Sequence, residues 1–187
     1  YQASIVITPQ QEADIDIKAT LNNLLIPYTS NYAGTLLPGI REYTVTPGEK
    51  TTTISGKGKA GLKQEENYYF FYLPVCYKGI TGKSYAYYNT SRSKNLYLPA
   101  SVDENYSYDI QLPENLTLCT PIQEKKIDNP IGSFKITLTS EGSSLHIELA
   151  LQIKKQLITP AEYPAFRSLI TEWTDRTRKP ILFKTVQ

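Results

Sequence analysis

The sequence predicts an all-β protein, mainly an antiparallel β-sandwich, with one C-terminal α-helix packed on it. Two stretches, Asp14–Leu21 and Ser133–Lys154, alternate apolar and polar residues with the period of a half-buried strand. Fifteen tyrosines against one tryptophan and no methionine supply amphipathic rings suited to partly buried strand positions. Helical spacing of apolar residues occurs only after Thr159.

A chain of 187 residues is long enough to bury a substantial core as one β domain. Residues 1–187 are read as a single β-sandwich domain, with N-terminal strands in 1–66, core strands in 67–158, and a capping helix and last strand in 159–187.

Ser4–Thr8 is a short apolar run closed by Pro9. In Asp14–Leu21, Ile15, Ile17, Ala19 and Leu21 share one face, and Asp14 and Asp16 take the other. An Asp-x-Asp pair can ligate a metal, but no third ligand or calcium-loop spacing follows, so both are read as exposed strand surface. Pro27, Gly34, Pro38, Gly39, Pro47 and Gly48 then break the pattern, predicting a long connection over 22–48 interrupted by the extended run Arg41–Thr46. Thr51–Leu62 resumes alternation with Ile54, Gly56, Gly58, Ala60 and Leu62 on one face. A turn at Lys63–Glu66 is expected to fold this strand back on Tyr68–Leu73, with the glycines beneath the neighbouring rings.

The run Asn67–Pro74 is the expected centre of the fold. Tyr68, Phe70 and Tyr72 line one side and Tyr69, Phe71 and Leu73 the other, which predicts cover above and below. Gly79–Lys83 reads as a turn and Ser84–Tyr88 as a strand. Its Tyr85, Tyr87 and Tyr88 are the candidate binding residues, able to stack on a sugar or peptide; the plainer reading packs the rings and leaves only the hydroxyls wet. Asn95–Pro99, Tyr106–Pro113 and Leu116–Ile122 are short strands, two of them stopped by proline.

The clearest hairpin runs Ser133–Thr139, turns at Glu141-Gly142-Ser143 and returns through Leu145–Lys154. Phe134, Ile136 and Leu138 face Leu145, Ile147, Leu149, Leu151 and Ile153, leaving Lys135, Thr137, His146, Glu148 and Gln152 on the polar side. The single histidine is thus read as solvated or locally hydrogen-bonded. Thr159-Pro160-Ala161-Glu162 carries a capping box with Ile158 and Tyr163 as its staple, and Pro164 shifts the helix start towards Glu162 or Tyr163. Tyr163, Phe166, Ile170 and Trp173 form its apolar stripe, Arg176, Arg178 and Lys179 suit its C-terminal end, and Pro180 stops it before a last strand, Ile181–Val186.

Twenty Lys and Arg against 18 Asp and Glu give a net charge of +2, which makes no case for nucleic acid or an anionic membrane as partner. Lys57, Lys59 and Lys63, like Arg176, Arg178 and Lys179, are read as solvated faces. No apolar run approaches the ~20 residues that cross a bilayer, so no membrane insertion is expected. The first residue is Tyr1 and no leader pattern follows it, which reads as a piece excised from a longer chain.

Cys76, His146 and Asp175 occur in the order of a nucleophilic triad, but such a cysteine is normally activated at a helix N-terminus or beside a cation, whereas Cys76 sits at the end of a strand in Pro74-Val75-Cys76-Tyr77. Two cysteines with one histidine cannot build a structural zinc site, and no phosphate-cradling glycine loop precedes a helix. No catalytic residue, metal site or cofactor is therefore predicted, and the chain is not expected to be an enzyme. The sequons at Asn89, Asn105 and Asn115 are what this composition gives by chance, and Cys76 and Cys119 are read as unpaired.

The stretch Tyr68–Lys184 resembles the C-terminal region of transglutaminase-like proteins of Gram-negative anaerobes. The resemblance is carried by Tyr69-Phe70-Phe71-Tyr72-Leu73-Pro74, the run Arg92–Pro99, Tyr106-Ser107-Tyr108-Asp109-Ile110-Gln111-Leu112-Pro113, Asn129-Pro130-Ile131-Gly132, the strand from Leu145, and Tyr163-Pro164-Ala165-Phe166-Arg167 with Trp173. It implies an accessory β domain of an exported protein, periplasmic or at the cell surface, where the two cysteines would meet an oxidising compartment. Its implied partner is the preceding transglutaminase-like domain of the same chain. That family's catalytic Cys, His and Asp belong to the preceding domain and have no counterpart here. A module binding a glycan or peptide ligand through Tyr85, Tyr87 and Tyr88, and an adhesin-like structural subunit, are the alternatives.

Overall fold

The computed structural model describes residues 11–22, 37, 39–76, 79–80, 91–121 and 123–186. The apolar run Ser4–Thr8 and the expected strand Ser84–Tyr88 lie outside these residues.

Seven strands form the larger sheet: β1 (Glu12–Asn22), β2 (Ile40–Pro47), β3 (Thr51–Gly61), β7 (Val102–Gln111), β9 (Gln123–Asn129), β10 (Gly132–Glu141) and β11 (Ser144–Ile153). Their order is β2-β3-β1-β7-β11-β10-β9 and every pairing is antiparallel. A second sheet contains β4 (Lys63–Glu65), β5 (Tyr68–Phe71), β8 (Leu116–Leu118) and β13 (Ile181–Thr185) in the order β4-β5-β13-β8. The small pair β6 (Leu96–Tyr97) and β12 (Leu157–Ile158) and the helix α1 (Tyr163–Arg178) complete the described elements. The fold is thus mostly antiparallel β with one helix near its C-terminus, as the sequence predicts.

The alternation of β1, β10 and β11 has its expected consequence. Ile15, Ile17, Ala19, Leu21, Phe134, Ile136, Leu138, Leu145, Ile147, Leu149, Leu151 and Ile153 are all buried on one face of the large sheet. That face is covered by α1, which lies against β10 and β11, and by the second sheet. Leu73, just after β5, and Ile181 of β13 line a small gap together with Ile136, Leu138 and Ile147 of the large sheet. The opposite face of the large sheet is polar.

The helix starts at Tyr163 with Glu162 as its N-cap, so Pro164 moves the start beyond Thr159 as expected. Only half of the Thr159–Glu162 box forms, one turn early: the Thr159 N–H (3.1 Å) and hydroxyl (3.0 Å) both donate to Glu162 Oε2, while the Glu162 N–H donates to Thr159 O and not to the hydroxyl. Tyr163, Phe166, Ile170 and Trp173 are buried, joined by Leu169 and Thr177. Asn129, the last residue of β9, accepts from Ile131 N–H at 2.9 Å and donates to Ala165 O at 3.1 Å, tying the turn between β9 and β10 to the start of the helix.

Three expectations are corrected. β3 does not pair with Tyr68–Leu73: it lies between β2 and β1, and the hairpin partner of β5 is the separate short strand β4. The small residues of β3 accommodate β2 rather than aromatic rings, since a Cβ at Gly56 would come within 2.2 Å of Ile40 Cγ2. β5 is covered on one side only, with Phe71 and Leu73 buried but Tyr68 and Tyr72 49% and 46% exposed. The second sheet is an outer layer, and tyrosine tolerates its outer face because the ring packs sideways while the hydroxyl stays wet: Phe70 and Tyr72 meet edge to face at 6.2 Å, and Lys63 Nζ sits 5.8 Å from the Tyr72 ring centre. Finally, β9 is a strand where none is predicted. Its sequence QEKKIDN is too charged to alternate clearly, and lysines suit a strand at a sheet edge.

Candidate functional site

The polar face of the large sheet brings together residues that are distant in sequence. Strand register sets Asp16 opposite both Lys57 and Asp109, and sets Asp109 opposite His146. Lys57 Nζ donates to Asp16 Oδ2 at 2.9 Å, and the His146 Nδ1 to Asp109 Oδ1 distance is 2.7 Å. Lys59 lies 3.8 Å from Asp14 and 3.7 Å from Glu12, and Lys135 lies 3.2 Å from Glu148. The hydrogen bond from Lys57 to Asp16, then the attraction of that carboxylate, raises the lysine pKa above its usual value. Exposed pairs of this kind are screened by water and salt and contribute little to stability.

Two adjoining grooves run over this face. One, of about 470 Å³, is lined by Asp16, Lys18, Tyr43, Lys57, Ser107 and Asp109. The other, of about 320 Å³, is lined by Asp14, Asp16, Asp109, Gln111, Ser144 and His146. Asp14 and Asp16 occupy the polar face predicted for them, and His146 is locally hydrogen-bonded as read. Ser144 donates to Gln111 Oε1 at 2.8 Å rather than to the imidazole, so the face offers hydrogen-bonding groups and charge without a serine activated by that base.

The other polar assembly is buried. β7 turns Val102, Glu104, Tyr106, Tyr108 and Ile110 inward, and Glu104 is fully buried. Its carboxylate accepts the Ile80 N–H at one oxygen and the Tyr106 hydroxyl, at 3.2 Å, at the other. The Tyr106 oxygen in turn accepts the Cys76 N–H at 3.0 Å, and the Tyr108 hydroxyl donates to Pro74 O at 2.8 Å. Three inward side chains of one strand therefore hold the chain that follows β5. Gly79 lies directly over the carboxyl, where a Cβ would stand 2.5 Å from Glu104 Oε2 and 2.7 Å from Oε1. Burial pushes the Glu104 carboxyl up to about 7, against the bonds from Ile80 and Tyr106 that pull it down. Burial first, and then the Glu104 charge, raises both tyrosine hydroxyls well above their usual range. Sequence reasoning missed Glu104; the signal was one acidic residue in register with Val102, Tyr106, Tyr108 and Ile110 on an otherwise apolar strand face.

Cys76, His146 and Asp175 are not brought together. Cys76 is buried beside the inward-facing Tyr106, His146 is on the opposite face of the sheet, and Asp175 on α1 accepts from Lys179 Nζ at 2.8 Å. Cys76 and Cys119 are not disulfide-bonded. Tyr85, Tyr87 and Tyr88 lie outside the described residues. Among the described residues, no three His, Cys, Asp or Glu side chains are grouped to hold a metal ion, and no helix is long and apolar enough to cross a membrane.

No curated protein matches the chain. A crystal structure of a candidate protease from Parabacteroides distasonis is similar to it with a TM-score of 0.58 and 32% identity. The match covers 64% of this chain and 24% of that one, so the chain corresponds to about a quarter of that protein's length. The profile of a domain of unknown function with a solved structure, DUF3858, matches residues 67–183, from the turn before β5 into β13. That span takes in β5, β7 with its buried Glu104, the β10–β11 hairpin and α1, and the chain belongs to the DUF3858 family.

Proposed function

We propose that this chain is a non-catalytic accessory β-sandwich domain of a larger exported protein, periplasmic or at the cell surface. It packs against a transglutaminase-like domain of the same chain or presents substrate to it. The observation that carries this reading is the match to a quarter of a longer protein, where the equivalent region is one part among others. It is supported by the separation of Cys76, His146 and Asp175, which leaves the described residues without an assembled nucleophile and base. The parent reading frame is the test. A transglutaminase-like Cys, His and Asp set is expected upstream of residue 1, with turnover lost when that set is altered and kept in Cys76→Ala and His146→Ala. A reading frame encoding no further domain would overturn the proposal.

A second reading, a glycan- or peptide-binding module, is favoured by the groove that places Tyr43 beside Asp16, Lys57 and Asp109. Binding on a glycan or peptide array that is lost in Tyr43→Ala would establish it.

A further inference from the structure

Exposed apolar side chains gather on the outer face of the second sheet. Among the described residues seven large hydrophobic side chains are exposed, and Tyr68, Tyr72, Leu182 and Val186 are four of them. Strand register explains the grouping. Leu182 lies opposite Phe70 and Lys184 opposite Tyr68, while Phe71, Ile181 and Phe183, of the other parity, are buried against the large sheet. On the other side of β5, Lys63 lies opposite Phe70 and Glu65 opposite Tyr68. The centre of the face is thus aromatic and aliphatic, and its charges sit on the flanking strand β4 and at the end of β13.

Two observations bear on what this face meets. Phe70 and Tyr72 stand at 87° to each other, so the rings make an uneven surface rather than one flat platform for a sugar, and such relief suits the side chains of another protein surface. The second is the amount of chain that lies elsewhere: the match to the Parabacteroides distasonis protein spans 24% of its length, which leaves most of that protein outside the matched region. Tyr68, Phe70, Tyr72 and Leu182 all fall within residues 67–183, so the face belongs to the DUF3858 region itself. A patch of this composition on one part of a longer chain is the kind of surface through which domains pack on each other.

We propose that the outer face of the β4-β5-β13-β8 sheet is the surface on which a neighbouring domain of the same longer chain docks, with Tyr68, Phe70, Tyr72 and Leu182 at the centre of the contact and Lys63 and Lys184 at its rim. The inference rests on the reading of the chain as an accessory part of a longer protein, and it names the surface by which that part is attached. The tyrosines suit the task, since each brings a large ring at little cost in side-chain freedom and a hydroxyl that finds a partner at the edge of the contact. Two lysines against Glu65, the one acid of this face among the described residues, make carboxylates the complementary groups on the docked domain.

The test is photocrosslinking in the purified full-length protein with Leu182 replaced by p-benzoylphenylalanine, followed by digestion and mass spectrometry of the captured peptides. Leu182 is part-exposed, so the replacement leaves the core intact, and the same probe in place of Tyr68, an aromatic for an aromatic, repeats the measurement. Lys18, exposed on the polar face of the large sheet, carries the probe as the control. Peptides from a domain outside residues 1–187 should be captured from positions 182 and 68 and not from position 18. Capture within residues 1–187, capture of a second copy as revealed by mixing isotope-labelled and unlabelled protein, capture of that domain from position 18 alone, or no capture overturns the docking face. A reading frame with no further domain sinks the accessory reading and this inference together. A reading frame with further domains whose peptides are not captured from positions 182 and 68 sinks this inference alone.

Discussion

The ring of Trp173 on α1 lies 5.9 Å from that of Tyr106 on β7, tilted by 43°, so the helix is anchored on the same tyrosine that receives the Cys76 N–H. A 16-residue amphipathic helix is marginal alone in water, and its order here comes from the stripe Tyr163, Phe166, Leu169, Ile170 and Trp173. Trp173→Ala removes a fully buried indole and should cost about 3 to 5 kcal/mol, a large share of a domain's total stability of about 5 to 15. Because Trp173 is the only tryptophan, its fluorescence reports the packing directly. Blue-shifted emission with little iodide quenching is expected; emission like that of indole in water would place the helix off the sheet.

Glu104 should make the whole domain lose stability as pH rises. Its folded pKa, about 7, lies above the ordinary 4.5, so the folded state binds the proton more tightly than the unfolded state. The stabilising contribution is complete below about 4.5 and is lost as pH rises through 7. At roughly 1.4 kcal/mol per pKa unit the loss is about 3 kcal/mol. Urea unfolding at pH 5 and pH 8 should show it for the wild type and not for Glu104→Gln.

Glu162 acts in the opposite sense at the start of the helix. The bond from Lys155, followed by those from the Thr159 N–H and hydroxyl, holds its carboxyl down to about 2. With the folded pKa below the unfolded one, its contribution is present above about 4.5 and disappears as pH falls through 2. Glu162→Gln should lower the melting temperature at pH 7 and have little effect at pH 2. An equal drop at both would show that the charge is irrelevant.

Reductant should leave the melting temperature unchanged, since Cys76 and Cys119 are not bonded to each other. A disulfide closing that loop would contribute about 4 kcal/mol in the chain-entropy picture, so a fall of several degrees under dithiothreitol would reveal one.

What could be read from the sequence follows how local each signal is. β1, the β10–β11 hairpin and α1 announce themselves through periodicity within their own residues, and each appears with the predicted face buried. The partner of β3 does not, because pairing with β1 joins Thr51–Gly61 to Glu12–Asn22 across a long separation that no turn residue encodes. β9 is hidden by its charges, which belong to an edge. For the site, Asp14, Asp16 and His146 are legible as members of polar faces, but the meeting of His146 with Asp109 depends on the register between β7 and β11. Glu104 is recoverable only by treating Val102–Ile110 as one inward face and asking why it contains an acid.

The proposal that the chain carries no chemistry of its own is tested most directly by assaying the folded protein against peptide, ester and glycoside substrates. No turnover above the uncatalysed rate is expected, and Cys76→Ala and His146→Ala should behave as the wild type does. Turnover abolished by either substitution would contradict this.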